Sequence, residues 1–252
     1  MIRGRQRYKT HTGMVTQHNN LFPSSIIPVN LRWKDRCTAA SWGDHSGNSN
    51  HASQSTTADQ AELSGGGLDF ESDDSSNHYD LAVAIDIDAT HSFAMAFVCE
   101  IESMTGTMCL VSVGGTAHTL EFVNGKDKMR IKFDNSTTTI TPGDGTLNDF
   151  LQGQGKFVIT IVRDAGATGN IHMYKNGVLM AQDSQASNSA GNVELNTIGV
   201  RNSDRYFDGK LYDFIVIDTG SSVTDISGYT LSAMNSYLCA KHGISEERPD
   251  LS

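Results

Sequence analysis

The sequence predicts an all-β fold, a sandwich of two antiparallel sheets with one helix near the C-terminus. From about residue 80 onward, one short segment after another is either apolar throughout or alternates apolar and polar residues, as strands do. The 24 Gly and only 4 Pro residues favour many turns between ordered strands. Strands do not alternate with helices, which excludes a parallel α/β sheet, and 252 residues suit one large β domain with an appendage.

The segment 93–101 predicts a strand that is buried on both faces. One face carries Phe93, Met95, Phe97, Cys99 and Ile101, and the other carries Ala94, Ala96 and Val98. The segment 128–134 alternates instead, with Met129, Ile131 and Phe133 facing the core and charged residues facing water. In the segment 156–164, Phe157, Ile159 and Ile161 share one face, which predicts a further strand.

Two more strands are predicted around Asn176-Gly177, because both residues tolerate the positive φ that a type I′ hairpin turn requires. Residues 210–218 predict another strand that is buried throughout. Helical periodicity occurs over about residues 230–243, where Leu231, Met234 and Leu238 form one stripe. Thr230 or Ser232 is the predicted N-cap of this helix.

Residues 1–30 predict an extended, basic N-terminal arm, and residues 31–252 the β domain. The arm segment shows no sustained periodicity, and Pro23 and Pro28 favour an extended path. Its basic residues at the start of the chain are Arg3, Arg5, Arg7 and Lys9. Such an arm either docks on an acidic protein surface or on nucleic acid, or is a solvated tail.

Net charge divides the chain into two parts. The first 36 residues carry a net charge of +6, whereas the whole chain carries −10, which leaves −16 on the rest. An acidic body repels phosphate, so we expect no nucleic acid to bind it. No apolar stretch is long enough to cross a membrane, and no apolar segment follows the basic N-terminus, so neither a membrane partner nor a secretion signal is expected.

The four cysteines, Cys37, Cys99, Cys109 and Cys239, lie far apart and lack C-x-x-C spacing. Without a secretion signal, this pattern is typical of reduced, buried thiols and not of a disulfide framework or a zinc site.

The stretch SWGDHSGNSNHASQ, residues 41–54, is either a ligand or metal loop or a structural turn beside a core tryptophan. The turn is favoured, because the Asp44 carboxylate suits a bond to its own backbone and Gly47 and Asn48 tolerate positive φ. Trp42 would then bury its ring beside the turn.

Several segments occur in an order that resembles a known superfamily. They are the stretch 41–54, then GGGLDFESDDSSNHYDL, HSFAMAFVCEI, IHMYKNGVLMAQ, NTIGVRNSDRYFDGKLYDFIVID and YLCAKHGI. Over about residues 31–244 they resemble the concanavalin A-like lectin/glucanase superfamily, and within it the laminin-G-like modules of bacteriophage and marine bacterial proteins. The resemblance implies a two-sheet antiparallel jelly roll, with the C-terminal helix packed at one edge, and a structural turn after Trp42.

Because that superfamily contains glycosidases, paired carboxylates need attention. Retaining glycosidases use two carboxyl groups about 5 Å apart, and the glucanases of the superfamily carry an E-x-D-x-x-E-like strand. The pairs available here are Glu100 with Glu102 and Asp86 with Asp88, and neither has a third carboxylate or a neighbouring Trp. We therefore expect solvated carboxylates at strand ends, no catalytic residue and no enzyme activity.

The resemblance also suggests calcium binding, because laminin-G modules often hold this ion with Asp and backbone carbonyl oxygens at the rim formed by their loops. Asp73, Asp74, Asp204 and Asp208 lie in suitable loops, but without D-x-D-x-D spacing no ligand set can be assembled. We therefore expect the chain to bind no metal or cofactor. Calcium binding stays open as an alternative.

The loop RNSDRYFDG is the best candidate for glycan binding. It places Arg201, Asn202, Asp204, Arg205 and Tyr206 between two strands, so that polar groups bond sugar hydroxyls and Tyr206 stacks on a ring. The alternative is an ordinary polar loop.

Two functions remain for this chain. The first is a structural protein of a bacteriophage particle, as capsid decoration or as part of a tail or fibre, made in the host cytoplasm and located in the virion. Its arm would contact other virion proteins in a homo-oligomer or high-copy assembly, and its body would bind host polysaccharide. The second is a carbohydrate-binding adhesin or accessory module, and a glycoside hydrolase is less favoured.

Overall fold

The computed structural model describes residues 29–32, 37–71, 76–123, 128–134, 136–140, 153, 155–164, 171–183, 191–220 and 228–245. Within these ranges lie a short 3-10 helix, Thr57–Asp59, one α-helix, α1 (Gly228–His242), and seventeen strands. The first nine strands are β1 (Val29–Arg32), β2 (Cys37–Thr38), β3 (Ser41–Trp42), β4 (Ala52–Ser53), β5 (Glu62–Ser64), β6 (Gly67–Phe70), β7 (Tyr79–Ile87), β8 (Phe93–Ile101) and β9 (Met108–Ser112). The others are β10 (Thr119–Val123), β11 (Lys128–Phe133), β12 (Ser136–Ile140), β13 (Phe157–Arg163), β14 (Ile171–Lys175), β15 (Val178–Asp183), β16 (Val193–Ile198) and β17 (Gly209–Asp218).

The strands form two antiparallel sheets, which confirms the predicted all-β sandwich. Sheet A has the order β15-β14-β13-β8-β17-β6-β5, and β1 also pairs with β17. Sheet B has the order β12-β11-β10-β9-β16-β7-β4-β3-β2. The described pairings in both sheets are antiparallel, so the strands form the two-layer arrangement of a jelly roll.

The main core lies between the sheets and is built from the inward-facing residues of both. At the centre of sheet A, Phe97 of β8 and Phe214 of β17 stack with their ring centroids 4.4 Å apart. From sheet B, the three predicted inward residues of β11 enter the same core. Phe93 and Phe133 meet edge to face, with 5.7 Å between ring centroids, and so join the two sheets.

A second apolar cluster lies on the outer face of sheet A, beneath α1. The predicted helical stripe packs against apolar residues of β8, β13 and β17; the cluster is Ala94, Ala96, Val98, Val158, Val162, Tyr212, Ile215, Ile217, Leu231, Met234, Leu238 and Cys239. The two buried faces predicted for β8 are therefore confirmed, and the helix covers the second one. The expected position of the helix at an edge was wrong, because the three strands offer it a central apolar surface to bury.

Both ends of α1 add detail that the sequence pattern did not show. The helix begins at Gly228, so Thr230 and Ser232 lie inside it and the predicted N-cap was wrong. At the C-terminal end, Lys241 Nζ lies 2.8 Å from both carboxylate oxygens of Asp213, and His242 Nε2 lies 2.7 Å from one of them. Asp213 is buried beside a bulge in β17, so these residues pair with a buried carboxylate besides facing the negative end of the helix dipole.

The turn after Trp42 is structural. Trp42 is fully buried, and the Asp44 carboxylate accepts the backbone N–H groups of Ser46 and Asn50 at 2.9 and 2.8 Å. Gly47 has a φ of 94°, as expected, but the second left-handed residue is Ser49, not Asn48. Because the carboxylate oxygens are engaged by local backbone groups, the stretch forms the predicted turn beside a core tryptophan.

The predicted hairpin is confirmed, whereas most of the predicted arm lies outside the described residues. Asn176 and Gly177 have φ values of 49° and 89°, as a type I′ turn between β14 and β15 requires. β1 begins at Val29 and pairs with β17, so the last two residues of the predicted arm, 29 and 30, belong to this strand. Residues 1–28 lie outside the described residues, so the arm and its four basic residues stay a prediction.

The four cysteines are free thiols, as expected. Cys99, Cys109 and Cys239 are buried and Cys37 is half-buried, where burial raises the pKa of its thiol to about 12. In the part of the chain that the structure describes, no helix is long and apolar enough to cross a membrane.

Candidate functional site

The loop that joins β16 to β17, residues 199–208, is closed by its own backbone. The N–H of Phe207 donates to the carbonyl of Gly199 at 2.8 Å, and the N–H of Arg201 donates to the carbonyl of Arg205 at 3.3 Å. At the tip, Asn202 and Ser203 have left-handed φ values of 48° and 56°. The loop is therefore a tight turn that brings Arg201 and Arg205 next to each other.

Two residues at the base anchor this loop on the core. Phe207 is buried and meets Phe70 edge to face, with 5.8 Å between ring centroids. Gly199 has a φ of 90°, and a Cβ at this position would lie 2.5 Å from the Phe70 ring, so a larger residue does not fit. The N–H of Gly199 also donates to the carbonyl of Leu110 in β9 at 2.9 Å. These contacts fix where the loop crosses sheet B.

The loop covers a glutamate on the outer face of sheet B. Glu121 lies in β10 between Leu120 and Phe122, whose side chains enter the core, so the alternation of the strand directs Glu121 outward. Its side chain is nevertheless 0% exposed. A buried carboxylate is tolerated only where charged or hydrogen-bonding partners compensate it.

Three guanidinium groups supply that compensation. Arg205 Nη1 lies 3.1 and 3.0 Å from the two carboxylate oxygens of Glu121, and Arg201 Nη1 lies 3.1 Å from one of them. Arg130, the cross-strand neighbour in β11, donates from Nε, while its Nη2 contacts the same oxygen outside hydrogen-bonding geometry. We call Arg130, Arg201, Arg205 and Glu121 the arginine surface. Burial raises the pKa of Glu121, although Arg205 and Arg201 act in the opposite direction.

Asp204 is the second carboxylate of this region and leaves part of Arg205 free. It accepts hydrogen bonds from Arg201 Nε and Nη2 at 3.3 and 2.9 Å, and it lies 4.0 Å from Arg205 Nε. For Arg205 Nη2, the described residues provide no hydrogen-bond acceptor. The side chains of Arg205 and Arg130 are 24% and 27% exposed, so the arginine surface is partly open to solvent, although Arg130 Nη2 itself is buried.

The predicted glycan patch is therefore brought together only in part. Arg201, Asp204 and Arg205 form one ion-pair network, whereas Asn202 is exposed at the tip and Tyr206 is half-buried. Sequence analysis missed Glu121 and Arg130. The sequence does show that Glu121 and Arg130 lie at outward positions of alternating strands. It does not show the register of β10 against β11, which makes the two residues neighbours.

Two of the carboxylates considered for catalysis, Glu100 and Asp88, accept hydrogen bonds from neighbouring residues. Glu100 accepts a hydrogen bond from the Tyr212 hydroxyl at 3.1 Å. Asp88 accepts the backbone N–H and the hydroxyl of Thr90 at 2.8 and 2.7 Å, and these bonds lower the pKa of Asp88. Asp86 is exposed on the outer face of β7.

Of the four aspartates considered for calcium, Asp204 and Asp208 lie among the described residues. Asp73 and Asp74 lie outside the described residues, and Asp204 is engaged by Arg201. The backbone carbonyl of Asp208 accepts the N–H of Glu102 at 3.3 Å.

A different acidic cluster lies where β6 and β8 end. Carboxylate oxygens of Asp69, Glu71 and Glu102 lie within 4.8 Å of one another, and burial together with the neighbouring carboxylates raises the pKa of Glu71. Lys210 Nζ lies 3.0 Å from Asp69 and also pairs with Glu102. An ammonium group among the carboxylates does not suit the all-oxygen shell of calcium, so Lys210 would have to leave before such an ion could bind.

The chain belongs to the concanavalin A-like lectin/glucanase superfamily, because the model of a laminin-G-type family in that superfamily matches residues 73–227, more than half of the chain. This match confirms the resemblance to the superfamily and to its laminin-G-like modules. A comparison with curated protein sequences gives no match.

Solved structures share this fold at low sequence identity. The binding domain of Paraclostridial mosquitocidal protein 1 matches with a TM-score of 0.59 and 14% identity, over 85% of this chain and 53% of that one. The ligand-binding domain of botulinum neurotoxin serotype D, solved with N-acetylneuraminic acid, gives a TM-score of 0.56 and 15% identity over 85% and 51%. A Trypanosoma rangeli sialidase gives 0.54 and 9% over 88% and 34%. The chain spans about half the length of the toxin domains, and these likenesses show the fold alone.

Proposed function

We propose that the chain is a non-enzymatic structural protein of a bacteriophage particle, as capsid decoration or as part of a tail or fibre, and that its lectin-like body binds glycan on the host surface. The glycan part of this proposal is carried by the arginine surface. There, arginine side chains are held in place by a buried carboxylate and remain partly exposed on the outer face of sheet B.

Fixed hydrogen-bond donors on a rigid sheet suit a sugar ligand. Because Glu121 and the closed loop already order Arg201 and Arg205, binding costs less side-chain entropy than it would on free arginines. Tyr206, adjacent in the loop, adds an aromatic ring for stacking. The neurotoxin domain solved with N-acetylneuraminic acid and the sialidase support a carbohydrate ligand only as a fold-level analogy.

The positions of the carboxylates support a non-enzymatic role. Glu100 and Asp88 are engaged by Tyr212 and Thr90, and Glu102 by Lys210. The sequence also lacks the E-x-D-x-x-E pattern of the superfamily's glucanases. Two of the compared structures are binding domains of toxins, which agrees with a binding role for the fold.

The virion role rests on the division of charge and on the resemblance to phage modules. A basic arm ahead of an acidic body suits docking on other virion proteins, while the net charge of −16 on residues 37–252 favours solubility at high copy number. The chain would then be made in the host cytoplasm and act in the virion as a homo-oligomer or high-copy component.

The glycan proposal is tested by a binding screen of the full chain against bacterial surface polysaccharides, with and without calcium and with an assay for released sugar. We expect binding without sugar release. The double substitution Arg205→Ala with Tyr206→Ala should abolish binding, whereas Lys156→Ala, at the residue before β13 of sheet A, should not. Binding that survives the double substitution would show that the site is elsewhere, and released sugar would contradict the non-enzymatic role.

The assembly proposal is tested by removing residues 1–28, which leaves β1 intact because that strand begins at Val29. We expect a folded domain that no longer enters phage particles. If the shortened chain still enters particles at the level of the full chain, the arm is dispensable for assembly. If the full chain binds glycan but does not enter particles, a carbohydrate-binding adhesin or accessory module explains the chain better.

A further inference from the structure

We infer that the arginine surface binds an acidic group of its glycan, a carboxylate or a sulfate, and that Arg205 makes the first contact with it. This inference rests on the proposed carbohydrate binding and adds the charge of the ligand.

The charge of the site supports an anionic ligand. Arg130, Arg201 and Arg205 bring three positive charges together, whereas Glu121 and Asp204 supply only two negative charges. One positive charge therefore remains on a chain whose net charge is −10. An anionic ligand would neutralise this remaining positive charge, whereas a neutral sugar would not.

The hydrogen-bonding groups at the site point to the same ligand chemistry. A neutral sugar hydroxyl both donates and accepts, so a site for it needs acceptors as well as donors. Here Glu121 is sealed from solvent, and Asp204, among the described residues the one carboxylate of the region that is exposed, already accepts from Arg201 with both oxygens. Arg205 Nη2, in contrast, has no acceptor among the described residues. A group that only accepts, as a carboxylate or sulfate does, fits a surface that mostly donates.

Neighbouring charges define where on sheet B such a ligand would lie. Lys132 follows Arg130 on the outward face of β11, because Ile131 and Phe133 on either side of it enter the core. On the other half of the sheet, Asp86 and Glu194 face each other across β7 and β16, and both are exposed. An anion is therefore attracted to the β10–β11 half and repelled from the β7–β16 half.

The test uses pairs of polysaccharides that differ only in charge. Alginate, polygalacturonate and hyaluronan are each compared with their carboxyl-reduced forms, and dextran sulfate is compared with dextran. Binding is measured on the full chain, in parallel with a full chain whose Arg3, Arg5, Arg7 and Lys9 are replaced with Gln, so that attraction to the basic arm is separated from binding by the body. We expect at least one acidic member to bind the body about tenfold or more tightly than its neutral partner.

Two single substitutions with the same change in net charge locate the contact. Arg205→Gln should lower affinity for the acidic member to that for its neutral partner, while Lys156→Gln, at the residue before β13 of the other sheet, should leave both affinities unchanged. Arg205→Lys keeps the charge but loses the forked pair of donors, and it should give an intermediate affinity. Thermal unfolding of each variant shows whether the ion-pair network still folds.

The outcomes separate this inference from the proposed function. Equal binding of charged and neutral members would overturn the inference but leave carbohydrate binding intact. An equal loss in Arg205→Gln and Lys156→Gln would also overturn it, because long-range attraction would then explain the preference. No binding by the body to any member of the panel, together with no binding in the screen of bacterial polysaccharides, would overturn both proposals.

Discussion

The outer faces of the two sheets differ in what covers them. On sheet A, β8, β13 and β17 present apolar residues outward, and α1 buries them as a second core. On sheet B, the outer face carries charged residues, among them Glu121, Arg130, Asp86 and Glu194, and the short loop 199–208 covers only the part around Glu121. One face of the sandwich is therefore part of the core, and the other holds the candidate site.

This difference follows from the side-chain periodicity of the strands. A strand that is apolar on both faces needs cover on both, whereas a strand that alternates leaves one polar face in contact with solvent. β8 belongs to the first kind and β11 to the second. A ligand site needs an accessible face, and the arginine surface accordingly lies on the sheet that α1 does not cover.

The largest effect on stability is expected beneath α1, where a truncation tests whether the covered face of sheet A is a true core. Met234→Ala removes a fully buried side chain from the second apolar cluster and should lower the free energy of unfolding by about 2–5 kcal/mol. The same truncation at an exposed residue of sheet B, Val83→Ala, should cost less than about 1 kcal/mol. Both are measured by urea denaturation, and equal costs at the two positions would contradict the contrast between the faces.

A smaller effect is expected where the loop over sheet B is anchored. Gly199→Ala places a Cβ 2.5 Å from the Phe70 ring at a φ of 90° and should cost about 1–3 kcal/mol. Because this change displaces the loop that carries Arg201 and Arg205, glycan binding should fall as well. Gly106→Ala is the matched control, since no described atom lies within 4 Å of a Cβ at that position. Unchanged stability and binding in Gly199→Ala would show that the loop is not held by this contact.

The smallest effect concerns the acidic half of sheet B. Glu194 lies directly opposite Asp86, and both are exposed like charges, so Glu194→Lys should stabilise the fold by about 0.2–1 kcal/mol. Glu194→Gln, which removes the repulsion without adding an attraction, should stabilise it less. Denaturation at low and at high salt provides the measurement, because salt screens an exposed pair. A gain that is the same at both salt concentrations would point to a cause other than charge.

Much of the fold was predictable because its signals are local. The inward face of β11, the two buried faces of β8, the Asn176-Gly177 turn and the stripe of α1 all depend on residues a few positions apart, and all four were predicted. The position of the helix was not predictable in this way, because its stripe shows that one face is buried but not against which strands.

The candidate site was predictable only to the extent that it is local. Arg201, Asp204 and Arg205 lie within one loop, and the sequence pointed to that loop. Glu121 is 84 positions away from Arg205, and it reaches the loop only because β10 lies beside β9, which the loop contacts through Leu110. By pairing with Arg130, Arg201 and Arg205, Glu121 joins residues of the predicted patch in one ion-pair network.

The sequence by itself determined β8, β11, β13 and β17, the hairpin of β14 and β15, the helix and the superfamily, because alternation, turn residues and motif order are properties of neighbouring residues. The tertiary structure alone decided that α1 lies over the centre of sheet A, that Asp213 receives Lys241 and His242, and that three arginines meet at one buried carboxylate. These contacts join residues distant in sequence, so they depend on strand order and register, which no local pattern specifies.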